Sequence, residues 1–199
     1  ILEVLRRRFP GDGAVAYTLG VIHHREGRLA DARVLLEDAV RAAPGRAEFH
    51  LGLARLCQDA GALADAVRAF EAALELDPGL SEAGSGLAVC LAGLGRLEDA
   101  LARMEDVVAG APADPTLRAG YGRLFLDAGR DDAAREQFRE GLAVEPRHGR
   151  CLYNLVKLEA NSGALDQAIA LSRDVEDLSP DGTFRAGIAC AVLPMVPES

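Results

Sequence analysis

Residues 47–80 read AEFHLGLARLCQDAGALADAVRAFEAALELDPGL, and this stretch shows the pattern that decides the fold. Its two apolar segments have helical spacing, Gly61 separates them, and Pro78 follows the second. A glycine can take positive φ just past a helix C-terminus, and a proline ends a helix because it lacks the next backbone donor. The stretch therefore predicts two short helices joined by a tight turn.

The same punctuation returns along the chain with a period of 34 residues. The residues that share it are Gly27, Gly61, Gly95, Gly129 and Gly163, Ala32, Ala66, Ala100, Ala134 and Ala168, and Pro10, Pro44, Pro78, Pro112, Pro146 and Pro180. Neither helix of such a hairpin can bury its apolar face alone, so neighbouring hairpins must stack. The predicted helix pairs are about 14–26 and 29–43, 47–60 and 63–77, 81–94 and 97–110, 115–128 and 131–144, and 149–162 and 165–178.

This period divides the chain into five repeats with an incomplete unit at each end. The repeats are expected at 13–46, 47–80, 81–114, 115–148 and 149–182. Residues 1–12 are expected to be the second helix of a truncated preceding repeat, and residues 183–199 a capping helix and the start of a linker to a C-terminal region. Within the hairpins, we expect the in-phase alanines to face small residues of the first helices, namely Gly20, Ala54, Ala88 and Gly122.

The composition of the 199 residues favours packed helices. Aromatic residues make up 5% and tryptophan is absent, so the core must be built from Ala, Leu and Val rather than as a β-sandwich. A net charge of −9 argues against nucleic-acid binding, which needs a dominant basic face. The longest apolar stretches, such as residues 188–193, are far shorter than the roughly 20 residues of a membrane span, and no signal peptide is visible. We expect a cytoplasmic protein without membrane insertion, with reduced, buried thiols at Cys57, Cys90, Cys151 and Cys190.

The repeated pattern resembles the tetratricopeptide repeat, a helical hairpin of 34 residues. The Leu-Gly/Ala pair of that family is matched by Leu19-Gly20, Leu53-Ala54 and Leu87-Ala88, and by the variant Tyr121-Gly122. Its later Ala, Phe, Ala and Pro positions are matched by Ala66, Phe70, Ala73 and Pro78. The match covers residues 13–182, with departures at the early Trp position, which holds Ala16, His50, Gly84, Arg118 and Leu152, and in the fifth repeat at Val156 and Ser172. The resemblance implies an all-α, right-handed superhelical solenoid that binds proteins and carries no catalytic residue and no cofactor.

Three further patterns are better explained by structure than by chemistry. Gly84-Ser85-Gly86 follows no strand and precedes no P-loop lysine, so it is not read as a phosphate loop. The adjacent His23 and His24 point about 100° apart on a helix, whereas zinc sites on one helix use i, i+4 spacing, so no metal site is predicted. The acidic pairs Glu98-Asp99 and Asp131-Asp132 open second helices, where they complement the helix dipole.

Stacked hairpins of this kind curve, and their first helices line the concave side. Counting from the start of each repeat, the inward positions mix apolar, aromatic and basic side chains. The candidate groove residues are Tyr17, Val21, His24, Leu51, Arg55, Val89, Arg123, Arg150, Tyr153, Asn154 and Lys157. One interpretation is that the basic ones are solvated helix charges. The other is a mixed groove for a segment of another protein, which should carry apolar side chains with acidic or amide groups between them.

Two groups within the family differ at these groove positions. Some members clamp a chaperone C-terminus with Lys and Asn, but Tyr17 and Val21 occupy those positions here, so that partner is not expected. The Asn ladder of SPINDLY and O-GlcNAc transferase relatives is almost lost in the row Thr18, Gly52, Gly86, Gly120 and Asn154. Residues 190–199, CAVLPMVPES, still resemble the Leu-Pro…Ser stretch that precedes the catalytic region of bacterial SPINDLY-like proteins.

The resemblance of residues 190–199 implies a specific role for the repeats. They would recognise the protein acceptor of a bacterial glycosyltransferase, for example flagellin or another surface protein. The alternative is a scaffold or assembly adaptor unrelated to glycosylation. Neither the partner nor the oligomeric state is determined by the sequence.

Overall fold

The computed structural model of the protein describes residues 11–176, apart from the side chains of residues 165 and 172–176. This part of the chain forms ten α-helices and contains no strand. They are α1 (Gly13–Arg25), α2 (Leu29–Ala42), α3 (Ala47–Asp59), α4 (Leu63–Leu76), α5 (Ser81–Gly93), α6 (Leu97–Gly110), α7 (Pro115–Asp127), α8 (Asp131–Val144), α9 (Gly149–Asn161) and α10 (Leu165–Glu176). The predicted all-α fold is confirmed, and each helix lies within one or two residues of its predicted bounds. The helix expected before residue 11 and the cap and linker expected at 183–199 lie outside the described residues.

One glycine forms the tight turn inside each hairpin. The five in-phase glycines have φ between 69° and 82°, a region that residues with a Cβ rarely adopt. The residue after each glycine donates its backbone N–H to the carbonyl five positions earlier, as Arg28 does to His23 at 2.9 Å and Ala62 to Cys57 at 2.8 Å. This bond satisfies a carbonyl that the helix end would otherwise leave without a partner. The prediction of positive φ at these turns is confirmed.

Acidic residues stabilise several helix N-termini. Asp12 caps α1, where its Oδ1 accepts the backbone N–H of Ala14 at 2.9 Å and that of Val15 at 3.2 Å. Asp114 caps α7 in the same way, and Pro115 fills its first turn. The predicted acidic pairs lie in the first turns of α6 and α8, where they complement the helix dipoles.

The described helices belong to two compact units, divided within α6 between Arg103 and Met104. In unit 1, α1 packs on α2 and α3 packs on α4 within the hairpins. Neighbouring hairpins meet where α2 contacts α3 and where α4 contacts α5. The first helices are also in contact, α1 with α3 and α3 with α5. In unit 2, α7 packs on α8 and α9 on α10, while α9 contacts both α7 and α8. Each unit thus buries the apolar faces of its helices against neighbouring hairpins, as stacking requires.

Glycines let bulky core side chains approach the first helices. A Cβ added at Gly20 would lie 2.7 Å from Leu36 Cγ, and one at Gly122 would lie 2.5 Å from Phe138 Cε1. Leu36 and Phe138 are both fully buried. The nearest side chain is therefore the bulky residue of the second helix, and the in-phase alanine expected to face these glycines is not the closest contact.

A second row of glycines makes room between successive repeats of unit 1. A Cβ at Gly52 would lie 2.6 Å from Tyr17 Cε2, and one at Gly86 would lie 2.7 Å from Phe70 Cε1. In both cases the ring belongs to the preceding repeat. Two positions of the row in which SPINDLY-like proteins carry the Asn ladder, Gly52 and Gly86, are thus covered here by side chains of the neighbouring hairpin.

The fifth hairpin is packed despite its departures from the family pattern. Val156 stands where a small residue is expected, yet it is fully buried in a cluster with Leu152, Ala160 and Ala168. The other departure, at Ser172, concerns a side chain outside the described ones. Helix α10 is described as far as Glu176.

Every helix among residues 11–176 is too short or too polar to cross a membrane.

Candidate protein-binding surfaces

Six of the predicted groove residues lie on the first helices of unit 1, and we refer to this set as the unit 1 face. Its members are Tyr17, Val21 and His24 on α1, Leu51 and Arg55 on α3, and Val89 on α5. Val89 is 50% exposed, an unusual value for a valine on a helix that is largely buried. Val21 and Leu51 are half-buried. The face therefore offers apolar surface to solvent next to polar groups.

Tyr17 contributes to packing more than the sequence suggests. Its ring stacks on Phe49 with centroids 4.9 Å apart and planes at 25°, and it covers the backbone at Gly52. It also packs against the buried cluster of Ala32, Leu36 and Leu56. Much of the Tyr17 ring is thus committed to the contact between the first two repeats, and only the remainder is available to a ligand.

The polar groups of the unit 1 face already have partners within the chain. His24 Nε2 lies 2.8 Å from Asp59 Oδ2, and Arg55 forms an ion pair with Glu82. Sequence reasoning missed both carboxylates. The pairing lowers the net positive charge that Arg55 gives this face.

The other five predicted groove residues lie on unit 2, and we refer to them as the unit 2 face. They are Arg123 on α7 and Arg150, Tyr153, Asn154 and Lys157 on α9. Arg123 pairs with Asp127 one turn later, with Nε 3.1 Å from Oδ1. Asn154 donates from Nδ2 to the Arg150 carbonyl at 2.8 Å, so its amide is bound to its own helix.

Arg150 and Lys157 are the uncompensated charges of the unit 2 face. Both are exposed, and neither forms an ion pair with any residue between 11 and 176. They are seven residues apart on α9, which brings them to one side of the helix, with Tyr153 and Asn154 between them. This is a short basic and aromatic strip on an acidic chain.

Tyr153 has a structural role that the sequence reasoning did not assign. The sequence predicts only a groove position for Tyr153, but its side chain is half-buried and packs against the cluster of Leu152, Val156, Ala160 and Ala168. The physical reason is the size of the ring, since a tyrosine at a groove position next to buried Leu152 can reach both the core and the exposed face of α9. Replacing it will therefore change stability as well as any binding.

A cysteine and a histidine meet in unit 2, at a spacing that the sequence reasoning overlooked. His148 Nδ1 lies 3.2 Å from Cys151 Sγ, and the thiol also lies 3.6 Å from the Pro115 carbonyl. Burial raises the pKa of Cys151 to about 11, and the charge of Glu145 adds to the effect. The sulfur is thus a buried neutral thiol at pH 7, whereas nucleophilic cysteines are exposed and have a lowered pKa.

Glu159 is a second feature that the sequence did not reveal. Its carboxylate is 3% exposed and accepts from Arg135 Nε at 3.0 Å and from Arg139 Nη2 at 3.3 Å. Both arginines belong to α8, so the carboxylate ties α9 to the preceding helix. Arg135 is consequently not a free surface charge. The described residues contain no cluster of three or more His, Cys, Asp and Glu side chains that could hold a metal.

Comparisons with known proteins agree with the geometry of the hairpins. Two family models, both described as tetratricopeptide repeats, match residues 23–67, 58–124 and 94–145, and residues 120–183. A search of curated protein sequences finds no match.

Several solved structures have a similar fold. MamA from Desulfovibrio magneticus RS-1 is 20% identical with a TM-score of 0.74 over 85% of this chain and 97% of that one. The Thermus thermophilus protein TTC0263 is 25% identical, with a TM-score of 0.71 over 91% of this chain and 99% of that one. YrrB, described as a TPR protein with an unusual peptide-binding site, is 18% identical, with a TM-score of 0.67 over 93% of this chain and 95% of that one.

Proposed function

Because the chain belongs to the tetratricopeptide repeat family, whose hairpins are protein-interaction modules, we propose that it binds a segment of another protein through the exposed faces of its first helices. Each unit has its own candidate patch, the unit 1 face and the unit 2 face. The description of YrrB as a peptide-binding TPR protein supports an extended or helical segment as the ligand. No catalytic step is assigned to these residues.

The observation that carries the proposal is the strip on α9. Arg150 and Lys157 are exposed and have no ionic partner in the described chain, while the chain as a whole carries a net charge of −9. Opposite charges on a ligand can pair with both without displacing an internal carboxylate. The half-buried ring of Tyr153 between them adds apolar contact area. The unit 2 face therefore favours acidic or amide side chains next to an apolar one.

The unit 1 face favours a different part of the ligand. Its polar groups at His24 and Arg55 already contact Asp59 and Glu82, so an incoming polar group would have to compete with those contacts. Val21, Leu51 and Val89 supply apolar surface that water covers in the free chain. This patch should contribute apolar burial rather than charge recognition.

A titration with labelled peptides tests the assignment of the unit 2 face. Decapeptides that alternate Leu with Asp, Asn or Lys are titrated into the full chain and followed by fluorescence anisotropy. The Asp series should bind more tightly than the Lys series, and the double variant Arg150→Gln/Lys157→Gln should weaken it by about three- to tenfold. The double variant Arg41→Gln/Arg68→Gln, which also removes two positive charges, from 72% and 74% exposed side chains of α2 and α4, is the control. Equal binding of the Asp and Lys series, or equal loss in the control, would remove the proposal.

A narrower role rests on residues 190–199 alone, which lie outside the described residues. In this role the repeats recognise the protein acceptor of a bacterial glycosyltransferase, such as flagellin. The support is the similarity of CAVLPMVPES to the stretch before the catalytic region in SPINDLY-like proteins. Reading the gene beyond Ser199 tests it. A nucleotide-sugar-binding α/β region supports this role, and a stop codon leaves the scaffold or adaptor alternative.

A further inference from the structure

Unit 2 has a second surface that is separate from the unit 2 face. Tyr121 and Phe125 lie two residues before and after Arg123 on α7, which places them about 200° around the helix from it. Their ring centroids are 4.5 Å apart and their planes are inclined by 35°. The two rings line a groove of about 320 Å³ together with residues of α6 and α8. This volume is at the lower end of ligand-binding pockets.

Aromatic rings at these two positions are specific to the fourth repeat. The position of Tyr121 holds leucine in the other four repeats, at Leu19, Leu53, Leu87 and Leu155. The position of Phe125 holds His23, Cys57, Leu91 and Glu159. Leucine at the first position is at most 5% exposed in three of those repeats, whereas Tyr121 is half-buried. Core packing alone is therefore satisfied by leucine, and it does not explain a tyrosine ring that faces a groove.

The charges around the groove leave an excess of carboxylate. Arg118 is occupied, because it pairs with Glu140 and donates from Nε to the Pro112 carbonyl at 3.1 Å and from Nη1 to Gln137 Oε1 at 3.3 Å. Glu105 and Glu136 also line the groove and are exposed, and neither forms an ion pair with any residue the structure describes. Burial raises the pKa of Tyr121, the negative charge of Glu105 raises it further, and the positive charge of Arg130 opposes this rise. The groove thus combines an aromatic surface with two uncompensated negative charges.

We propose that this groove binds an arginine side chain presented by a partner protein. A guanidinium is attracted to the faces of tyrosine and phenylalanine, and its fork of donors matches the carboxylates of Glu105 and Glu136. The apolar walls at Val108 and Ala109 suit the methylene stem of the same side chain. This surface uses second helices and a different side of α7, so the inference stands without the function proposed for the first-helix faces.

A titration followed by two-dimensional NMR tests the proposal on the full chain. The probe is the pentapeptide Ac-Ala-Ala-Arg-Ala-Ala-NH2, and the matched neutral probe has citrulline in place of arginine. The arginine probe should shift the backbone amide signals of Tyr121, Phe125, Glu105 and Glu136, and the citrulline probe should not. Raising NaCl from 50 to 300 mM should weaken the interaction, because salt screens exposed charges.

Two variants separate the carboxylates from the rings. The double variant Glu105→Gln/Glu136→Gln should weaken the arginine probe by about three- to tenfold, and Tyr121→Leu, which restores the leucine of the other repeats, should weaken it at least threefold. Glu71→Gln is the control, since Glu71 is one period before Glu105 and the rings are replaced there by Leu87 and Leu91. It should bind like the unchanged protein. Equal shifts with citrulline, unaltered binding by either groove variant, or shifts confined to the unit 2 face would overturn the proposal.

Discussion

Replacing Gly95 by alanine isolates the energetic contribution of a hairpin turn. Gly95 has φ of 79°, and a Cβ added there meets nothing within 4 Å. The substitution therefore introduces backbone strain without a steric clash. A left-handed conformation costs an L-residue about 1–2 kcal/mol, while alanine restricts the unfolded chain and returns about 0.4–1 kcal/mol. We expect Gly95→Ala to lower the free energy of unfolding by about 0.5–1.5 kcal/mol.

Gly45→Ala provides the matched control for this turn. Gly45 is also exposed, and a Cβ there meets nothing within 4 Å, but its φ is not positive. It should be neutral or stabilising, since only the effect on the unfolded chain remains. Urea unfolding followed by circular dichroism measures both, with equal m-values as the condition for comparing midpoints. If the two variants unfold at the same urea concentration, the assignment of strain to Gly95 is wrong.

Three further predictions concern unit 2. Glu159→Gln should lower the free energy of unfolding in urea by about 1–3 kcal/mol, because Arg135 and Arg139 lose their shared buried carboxylate. Arg139→Gln, which changes the exposed partner, should lower it by less than about 1 kcal/mol. The pKa of Cys151 is raised from 9.0 to about 11 in the folded chain, so the unfolded chain loses this proton first as pH rises. Stability from this group is therefore full well below pH 9, up to about pH 8, and declines by about 1.3 kcal/mol between pH 8 and pH 10, a decline that Cys151→Ala should lack. Phe138→Ala should lower the free energy of unfolding by about 3–5 kcal/mol, because the ring is fully buried against Gly122, and a loss below 1 kcal/mol would contradict this packing.

The fold could be predicted because its decisive residues act locally. A glycine that must take positive φ and a proline that ends a helix work within one turn of their own position, so a period such as that of Gly61 and Pro78 gives helix bounds directly. The in-phase alanines also indicate which side of each second helix faces its neighbouring helices. None of these inferences needs the rotamer of a long side chain.

The candidate surfaces depended on longer-range contacts and were predicted less fully. The candidate groove residues all lie on first helices, but the partners of Arg55 and His24 come from other helices, at Glu82 and Asp59. Tyr17 and Tyr153 are long enough to reach the core from a groove position, so position alone could not divide them between packing and binding. Glu159 is buried because two arginines of α8 reach it, and helical spacing on α9 contains no sign of this.

The glycine row between successive repeats also limits how the sequence can change. At Gly86, any residue with a Cβ requires a smaller side chain in place of Phe70, so the two positions must be substituted together. Gly52 is coupled to Tyr17 in the same way. At Gly120 the nearest atom to an added Cβ is Met104 Cε at 3.6 Å, which is ordinary contact with a flexible side chain. An asparagine introduced to bind a peptide backbone could therefore be accepted at position 120 by a single substitution. At positions 52 and 86 it would need a compensating change in the preceding hairpin.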